Sequence, residues 1–288
     1  MVQGRSENTC QYIFNLMQNF PRRWVVFDLR TPEEYSHMRL LRSINVPYSD
    51  NYSESPTIDE VRAHARGSRD LFDHRKRFLN IIVYCAEGVA FAREIEHLLT
   101  ADKCKEVHLL QKNFSDFALN YYFLCTYGIN DPYIPKWGYP SEIISLKLYI
   151  GDRHHAKDPL IIENLKITHI LDATISSEMP FASKGVIYLR LQVKDCNYED
   201  ISRYFSIAFD FISTALSKCS NRVLVHCAQG ISRSSTLVIM YLMKSRKIGF
   251  EEAFEIVKTQ RESASPNEGF ISQLKSFEKS LMKEYKGT

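Results

Sequence analysis

The chain has 288 residues, 44% of them apolar and 25% charged, with a net charge of +3. That length carries two ordinary domains, each able to bury a core of its own. The composition is that of a soluble globular protein rather than a disordered or membrane one, and the charge is too small to argue for nucleic acid.

In chain order, residues 8 to 19 read as a helix, and RRWVVFDLR supplies a short buried strand from Trp24 to Leu29. A turn at Thr31 and Pro32 starts a short helix, PEEYSHMRLL, with proline in its first turn, where the missing N–H costs nothing. SINVPY is a strand halted by Pro47, and a polar insert runs from Ser49 to about Gly67. NIIVYC is a core strand, FAREIEHLLT an amphipathic helix with Phe91, Ile95, Leu98 and Leu99 on one side, and EVHLL one more strand. Strands alternating with helices predict a parallel α/β layer structure. GINDPYIPKWGYPS then places three prolines and two glycines in 14 residues, the strongest domain boundary in the chain.

Beyond it the pattern restarts. SLKLYIG, ITHILDAT, VIYLRLQV and NRVLVHC read as strands, and residues 199 to 216 hold apolar side chains at helical spacing. SSTLVIMYLMKSR is a helix apolar almost all round, hence buried. GFEEAFEIVKTQR and GFISQLKSFEKSLMKEY supply two more helices, and no apolar run is long enough to span a bilayer. The start MVQGRSENTC lacks a hydrophobic signal core, and neither end carries a lipidation motif, so no membrane attachment is expected. Seven cysteines without disulfide-like spacing fit free thiols in a reducing compartment, cytoplasmic or nuclear. No CxxC pair or His/Cys cluster suggests a zinc site, and no metal or other cofactor is expected.

The chemistry-bearing stretch is VHCAQGISRSS, residues 225 to 235. It is strand, tight loop, helix, with Cys227 at the strand's end and Arg233 at the helix's start. In that geometry loop N–H groups and the helix N-terminus converge on one point and form an anion site. The same field lowers a thiol's pKa and makes thiolate available at neutral pH. Arg233 supplies a planar fork matched to two phosphate oxygens. Gly230 permits the positive φ such a loop needs. His226 can orient the loop, and Ser234 sits where a hydroxyl could assist the thiolate as leaving group. The competing reading of Cys227, a small buried apolar residue, leaves Arg233 and Gly230 at fixed offsets unexplained.

Over about residues 141 to 285 the chain resembles the dual-specificity protein phosphatases of the cysteine-based tyrosine phosphatase superfamily, through its His-Cys-x5-Arg-Ser signature. The resemblance implies that Cys227 attacks phosphorus, that Arg233 binds the phosphoryl group in a loop formed by Ala228, Gln229, Gly230, Ile231, Ser232 and Arg233, and that an aspartate elsewhere is the general acid. LQVKDCNYEDI matches the family's acid-loop pattern and places that role on Asp195; Asp200 is the rival and reads better as a cap of the next helix. SPNEGFISQL resembles the family's C-terminal signature, with Asn267 as organiser of the active-site loop. Gln229 replaces the family's usual alanine. The version QGISRS is typical of a subgroup with inactive members, the serine/threonine/tyrosine-interacting proteins, which replace the cysteine; this chain keeps His226 and Cys227. YPSEIISLKLYIGDRHHAKDPLIIENLKI resembles the interacting-like branch of that subgroup, which also carries an N-terminal rhodanese-like domain. The loop holds no lysine, so inositol phosphates and RNA 5′-triphosphates have little to bind. Phosphotyrosine and phosphoserine or phosphothreonine on proteins are favoured.

Residues 8 to 128 resemble the rhodanese-like domain, with Asp28, Arg30, Glu34, Asn45 and Pro47 matching its pattern. Its loop, Cys85-Ala86-Glu87-Gly88-Val89-Ala90, holds one acid and no base. Glu87 would repel an anionic sulfur donor, so Cys85 reads as structural. In mitogen-activated protein kinase phosphatases such a domain docks the kinase through clustered arginines. Residues 62 to 78 hold six Arg or Lys, and Arg75, Lys76 and Arg77 are the docking candidates, against the plainer reading of a solvated face.

The expectation is therefore an α/β protein with parallel-rich sheets flanked by helices: a rhodanese-like domain over 1–128, a proline-rich linker over 129–140 and a phosphatase domain over 141–288. The function expected is phosphoester hydrolysis on phosphorylated proteins, a MAP kinase among the candidates, through a phosphocysteine. The alternative is a phospho-binding scaffold with little turnover.

Overall fold

The computed structural model describes residues 10–19, 24–47, 57–64, 80–84, 90–102, 106–110, 114–127, 135–175 and 178–286. The chain divides into two units, Met1–Ile134 and Pro135–Thr288.

The described elements of the first unit are α1 (Cys10–Asn19), β1 (Trp24–Asp28), α2 (Pro32–His37), β2 (Arg39–Leu40), β3 (Ser43–Asn45), α3 (Ile58–His64), β4 (Asn80–Tyr84), α4 (Ala90–Ala101), β5 (Glu106–Leu109), α5 (Phe114–Asn120) and β6 (Cys125–Thr126). Strands β3-β1-β4-β5 form a parallel sheet. A parallel sheet needs cover on both faces. One layer packs Phe27, Val83, Ile95, Leu99 and Leu109 together. A separate aromatic group gathers Phe14, stacked on Tyr121 at 4.6 Å, with Phe117 and Phe123 beside it.

Three of the residues that carry the rhodanese-like resemblance, Asp28, Arg30 and Asn45, form one knot at the carboxyl end of β1. The buried Asp28 carboxylate accepts from Arg30 Nε at 3.0 Å and Nη2 at 2.7 Å, and from the Tyr84 hydroxyl. The Arg30 guanidinium lies 3.9 Å from the Phe114 ring centroid. Asn45 Nδ2 donates to the Asp28 and Arg30 carbonyls at 3.0 and 2.8 Å. Glu34 closes a capping box with Thr31 at the start of α2, and Pro32 occupies its first turn. That helix stops at His37, short of the sequence pattern. Arg30 takes the Met38 carbonyl, Leu40 N–H donates to the Tyr84 hydroxyl at 3.2 Å, and Leu40 pairs with Cys125 across β2 and β6. Long-range hydrogen bonds outbid local helix propensity here.

The second unit comprises β7 (Ser141–Ile144), β8 (Leu148–Gly151), α6 (Pro159–Asn164), β9 (His169–Asp172), β10 (Ile187–Arg190), α7 (Phe205–Leu216), β11 (Val223–His226), α8 (Arg233–Arg246), α9 (Phe250–Gln260) and α10 (Glu268–Lys286). Its sheet has the order β10-β9-β11-β8-β7, parallel except for β7. Residues 233 to 243 of α8 are buried without exception, as its all-round apolar sequence predicts, with α7, α9 and α10 packed on it. Residues 135–140 belong to this unit: Tyr139 is buried and its hydroxyl accepts from Asn164 Nδ2 at 2.7 Å. Strand register lines up Gly151, His226, Asp172 and Arg190 in one row across β8, β11, β9 and β10. The loops that leave the sheet just beyond this row build the site, as expected at the carboxyl ends of parallel strands.

Candidate active site

Strand β11 delivers Cys227 with no exposed surface, and α8 begins at Arg233. The Cys227 Sγ accepts the Gly230 N–H at 3.2 Å and lies 3.3 Å from Ser234 Oγ. Burial works against ionisation of this thiol. It is nonetheless held below its ordinary range, because the Ser234 hydroxyl, the Ser234 and Gln229 N–H groups and the Arg233 charge all favour the thiolate. Gly230 sits at φ +70°, and a Cβ there would lie 2.6 Å from the Gly151 carbonyl oxygen and 2.7 Å from Arg261 Nη2. Both the conformation and the crowding demand glycine.

Arg233 is buried, and its Nη1 donates to the carbonyls of Ala173 at 3.2 Å and Val193 at 3.1 Å. Two fixed carbonyls orient the guanidinium fork in advance of any ligand. Its Nε stands 3.3 Å from Asp195 Oδ2. Asp195 is held on its other oxygen by Asn267 Nδ2 at 3.0 Å. Asn267 also donates its N–H to Ser232 Oγ at 3.2 Å and accepts from Phe270 N–H at 2.9 Å, so it caps α10 while tying both loops together. Asp200 accepts the N–H and hydroxyl of Ser202 at 3.0 and 2.6 Å. These bonds, the side-chain one foremost, hold its carboxyl below the usual range. The structure thus brings Cys227, Arg233, Asp195, Ser234 and Asn267 together, while Asp200 does not cap α7 as its place in the sequence predicts: its carboxylate bonds Ser202 in the turn that precedes that helix. His226, one residue before the thiol, is pushed below its ordinary pKa by burial, although Asp172 Oδ1 lies 3.5 Å from its Nε2.

Sequence reasoning missed the residues that hold this arrangement from behind. Arg261, buried, donates to the Gly230 carbonyl at 2.7 Å and to Ser141 Oγ at 3.0 Å. At the end of KTQR it looks like an ordinary basic helix terminus. Asp172 is buried and accepts from Thr174 and from Arg190 Nε at 3.1 Å. Gly269 had a signal: glycine in the first turn of a helix marks a close approach. A Cβ on it would lie 1.9 Å from the Asn197 carbonyl oxygen. Gln273 adds bonds to Ser202 N–H at 2.9 Å and the Glu199 carbonyl at 2.8 Å. Cys85 with residues 86–89, and Arg75, Lys76 and Arg77, lie outside the described residues.

Residues 148–280 match the family model described as dual specificity phosphatase, catalytic domain, and residues 15–120 match the rhodanese-like domain. A Dictyostelium discoideum protein named "Probable rhodanese domain-containing dual specificity protein phosphatase" is 34% identical over 332 residues, covering 95% of this chain and 69% of its own length. Human dual specificity protein phosphatase 4 is 40% identical over 146 residues, which is 50% of this chain and 36% of that relative. Among solved structures, a mouse protein described as "putative dual specificity phosphatase", complexed with zinc tungstate, is 28% identical, with a TM-score of 0.50 over 56% of this chain and 97% of that one. Similar in sequence along most of its length to a protein with both domains, the chain belongs to the dual specificity protein phosphatases that carry an N-terminal rhodanese-like domain.

Proposed function

We propose that this protein hydrolyses phosphotyrosine and phosphoserine or phosphothreonine on proteins through a phosphocysteine intermediate. The observation that carries the reading is a buried thiol held toward thiolate by Ser234, loop N–H groups and Arg233. A phosphate monoester enters the loop, where main-chain N–H groups and the Arg233 fork take its oxygens. The Cys227 thiolate attacks phosphorus and forms the S–P bond while the P–O bond to the leaving group breaks. Asp195, beside Arg233, gives its proton to the departing oxygen. It then takes a proton from the water that attacks the phosphocysteine. The S–P bond breaks, inorganic phosphate leaves, and Ser234 Oγ stabilises the departing thiolate.

Turnover of an aryl phosphate by the full chain tests the assignment. Cys227→Ser should abolish turnover while keeping phosphate binding. Asp195→Asn should lower kcat on poor leaving groups by about 10²–10⁴-fold, with Asp200→Asn near wild type. Wild-type turnover equal to that of Cys227→Ser removes the proposal, and a larger loss in Asp200→Asn reassigns the acid.

A further inference from the structure

The parallel strands release their loops at one end of the sheet, and their order fixes which loops face each other. β8 flanks β11 on one side, while β9 and β10 lie on the other. The loop after β8, residues 152–157, and the Asp195 loop after β10 therefore border the Cys227 loop from opposite sides.

The β8 side is cationic and exposed. Asp152 is turned inward, accepting the N–H groups of His154 at 2.8 Å and His155 at 3.0 Å with the His155 ring against it at 3.1 Å. Arg153 follows it in the loop. It is exposed, and its Nε donates to the Ala228 carbonyl at 3.4 Å, which anchors the guanidinium at the lip of the loop that starts at Cys227. Among the described residues no carboxylate pairs with it. Next to it His154 stacks on Trp137 at 4.5 Å, and Lys136 Nζ lies 4.8 Å from the same ring. Gln229, beyond Ala228 on the lip, is exposed as well.

We propose that Arg153 is a specificity-determining residue that recognises an anionic side chain flanking the phosphorylated residue of a protein substrate. The inference rests on the phosphatase reading and adds to it. A phosphorylated side chain reaches Cys227 only if the substrate backbone crosses the lip. A neighbouring residue on the side away from Asp195 then passes the Arg153 guanidinium. Its outer nitrogens are positioned by the Ala228 anchor and match a carboxylate or a second phosphate in bidentate geometry. Lys136 adds charge of the same sign on the same side.

The test compares wild type, Arg153→Ala and Arg153→Glu on a small aryl phosphate and on matched phosphotyrosine peptides. The peptides carry glutamate, glutamine, lysine or a second phosphorylated residue beside the phosphotyrosine. Wild type should favour the glutamate peptide over the glutamine one by about twofold to fivefold in kcat/KM, more at low salt. Arg153→Ala should erase that preference through KM while kcat and the aryl phosphate rate hold, and Arg153→Glu should turn it toward lysine. A gain for the doubly phosphorylated peptide beyond the glutamate one assigns the second phosphate as preferred anion; an equal gain assigns any flanking anion. Equal rates on all peptides in wild type overturn the inference. So does an equal fall on every substrate in Arg153→Ala, which makes Arg153 a positioning residue for Ala228. A wild-type chain inert on the aryl phosphate instead defeats the phosphatase reading itself.

Discussion

Burial alone makes a thiol harder to ionise, and this chain contains that case beside its exception. Cys125 is buried in the first unit and its thiol is pushed up to about 12 by desolvation, only weakly opposed by Arg30. Cys227 is buried more completely, yet its thiol is lowered, since the hydrogen bonds to sulfur and the Arg233 charge together outweigh the desolvation they oppose. Hydrogen bonds to a charged group are worth about 1.5–3 kcal/mol, so Ser234→Ala should slow alkylation of Cys227 at neutral pH by about tenfold to a hundredfold. A lowered thiol pKa means thiolate persists to lower pH. The wild-type alkylation profile should therefore rise below the ordinary thiol midpoint of ~8.5, and Ser234→Ala should move it toward alkaline pH. An unmoved profile would show that the hydroxyl does not support the thiolate. At this scale the sequence was legible where one loop carries the residues: Cys227, Gly230, Arg233 and Ser234 are all local. Arg261 and Asp172 were not, because their partners, Gly230 and Arg190, are distant in sequence and their own neighbourhoods look ordinary.

Among elements, α10 does most to fix the loop after β10. Asn267, Gly269 and Gln273 each touch it, at Asp195, Asn197 and the Glu199–Ser202 turn. Asp195 is thus held beside Arg233. Gly269→Ala places a methyl 1.9 Å from the Asn197 oxygen, so helix or loop must move. We expect kcat on poor leaving groups to fall by about tenfold or more, up to the ~10²–10⁴-fold that a positioned acid contributes. The alkylation rate of Cys227, which does not use Asp195, should stay near wild type. A kcat loss equal for good and poor leaving groups would argue against the acid-loop account. Long strands and helices were legible from their periodicity, α8 above all. The two-residue strands β2 and β6 were not, since their pairing is set by residues some 85 positions apart in the chain. β7 was hidden by the proline-rich stretch that runs into it.

For the whole molecule, the alternation of strands and helices made two α/β units legible, and the register that aligns Gly151, His226, Asp172 and Arg190 was beyond reach, because it is a property of the assembled sheet. The position of α10 in the chain has a consequence for how the protein is made. Phe270, Leu274 and Leu281 are core residues of the second unit, each contributing about 1.5–3 kcal/mol on burial, together of the order of the ~5–15 kcal/mol net stability of a domain. During synthesis from the N-terminus, the first unit has all its strands long before these residues exist, and units generally fold as they emerge. The second unit must wait. Ribosome-held chains of increasing length should give a protease-resistant first unit early, whereas resistance in the second should appear only once Leu281 has cleared the ribosome. Resistance of residues 141–260 in a shorter chain would refute this order. The phosphatase half would then stay silent until α10 has left the ribosome, even with the whole of its Cys227 loop already made.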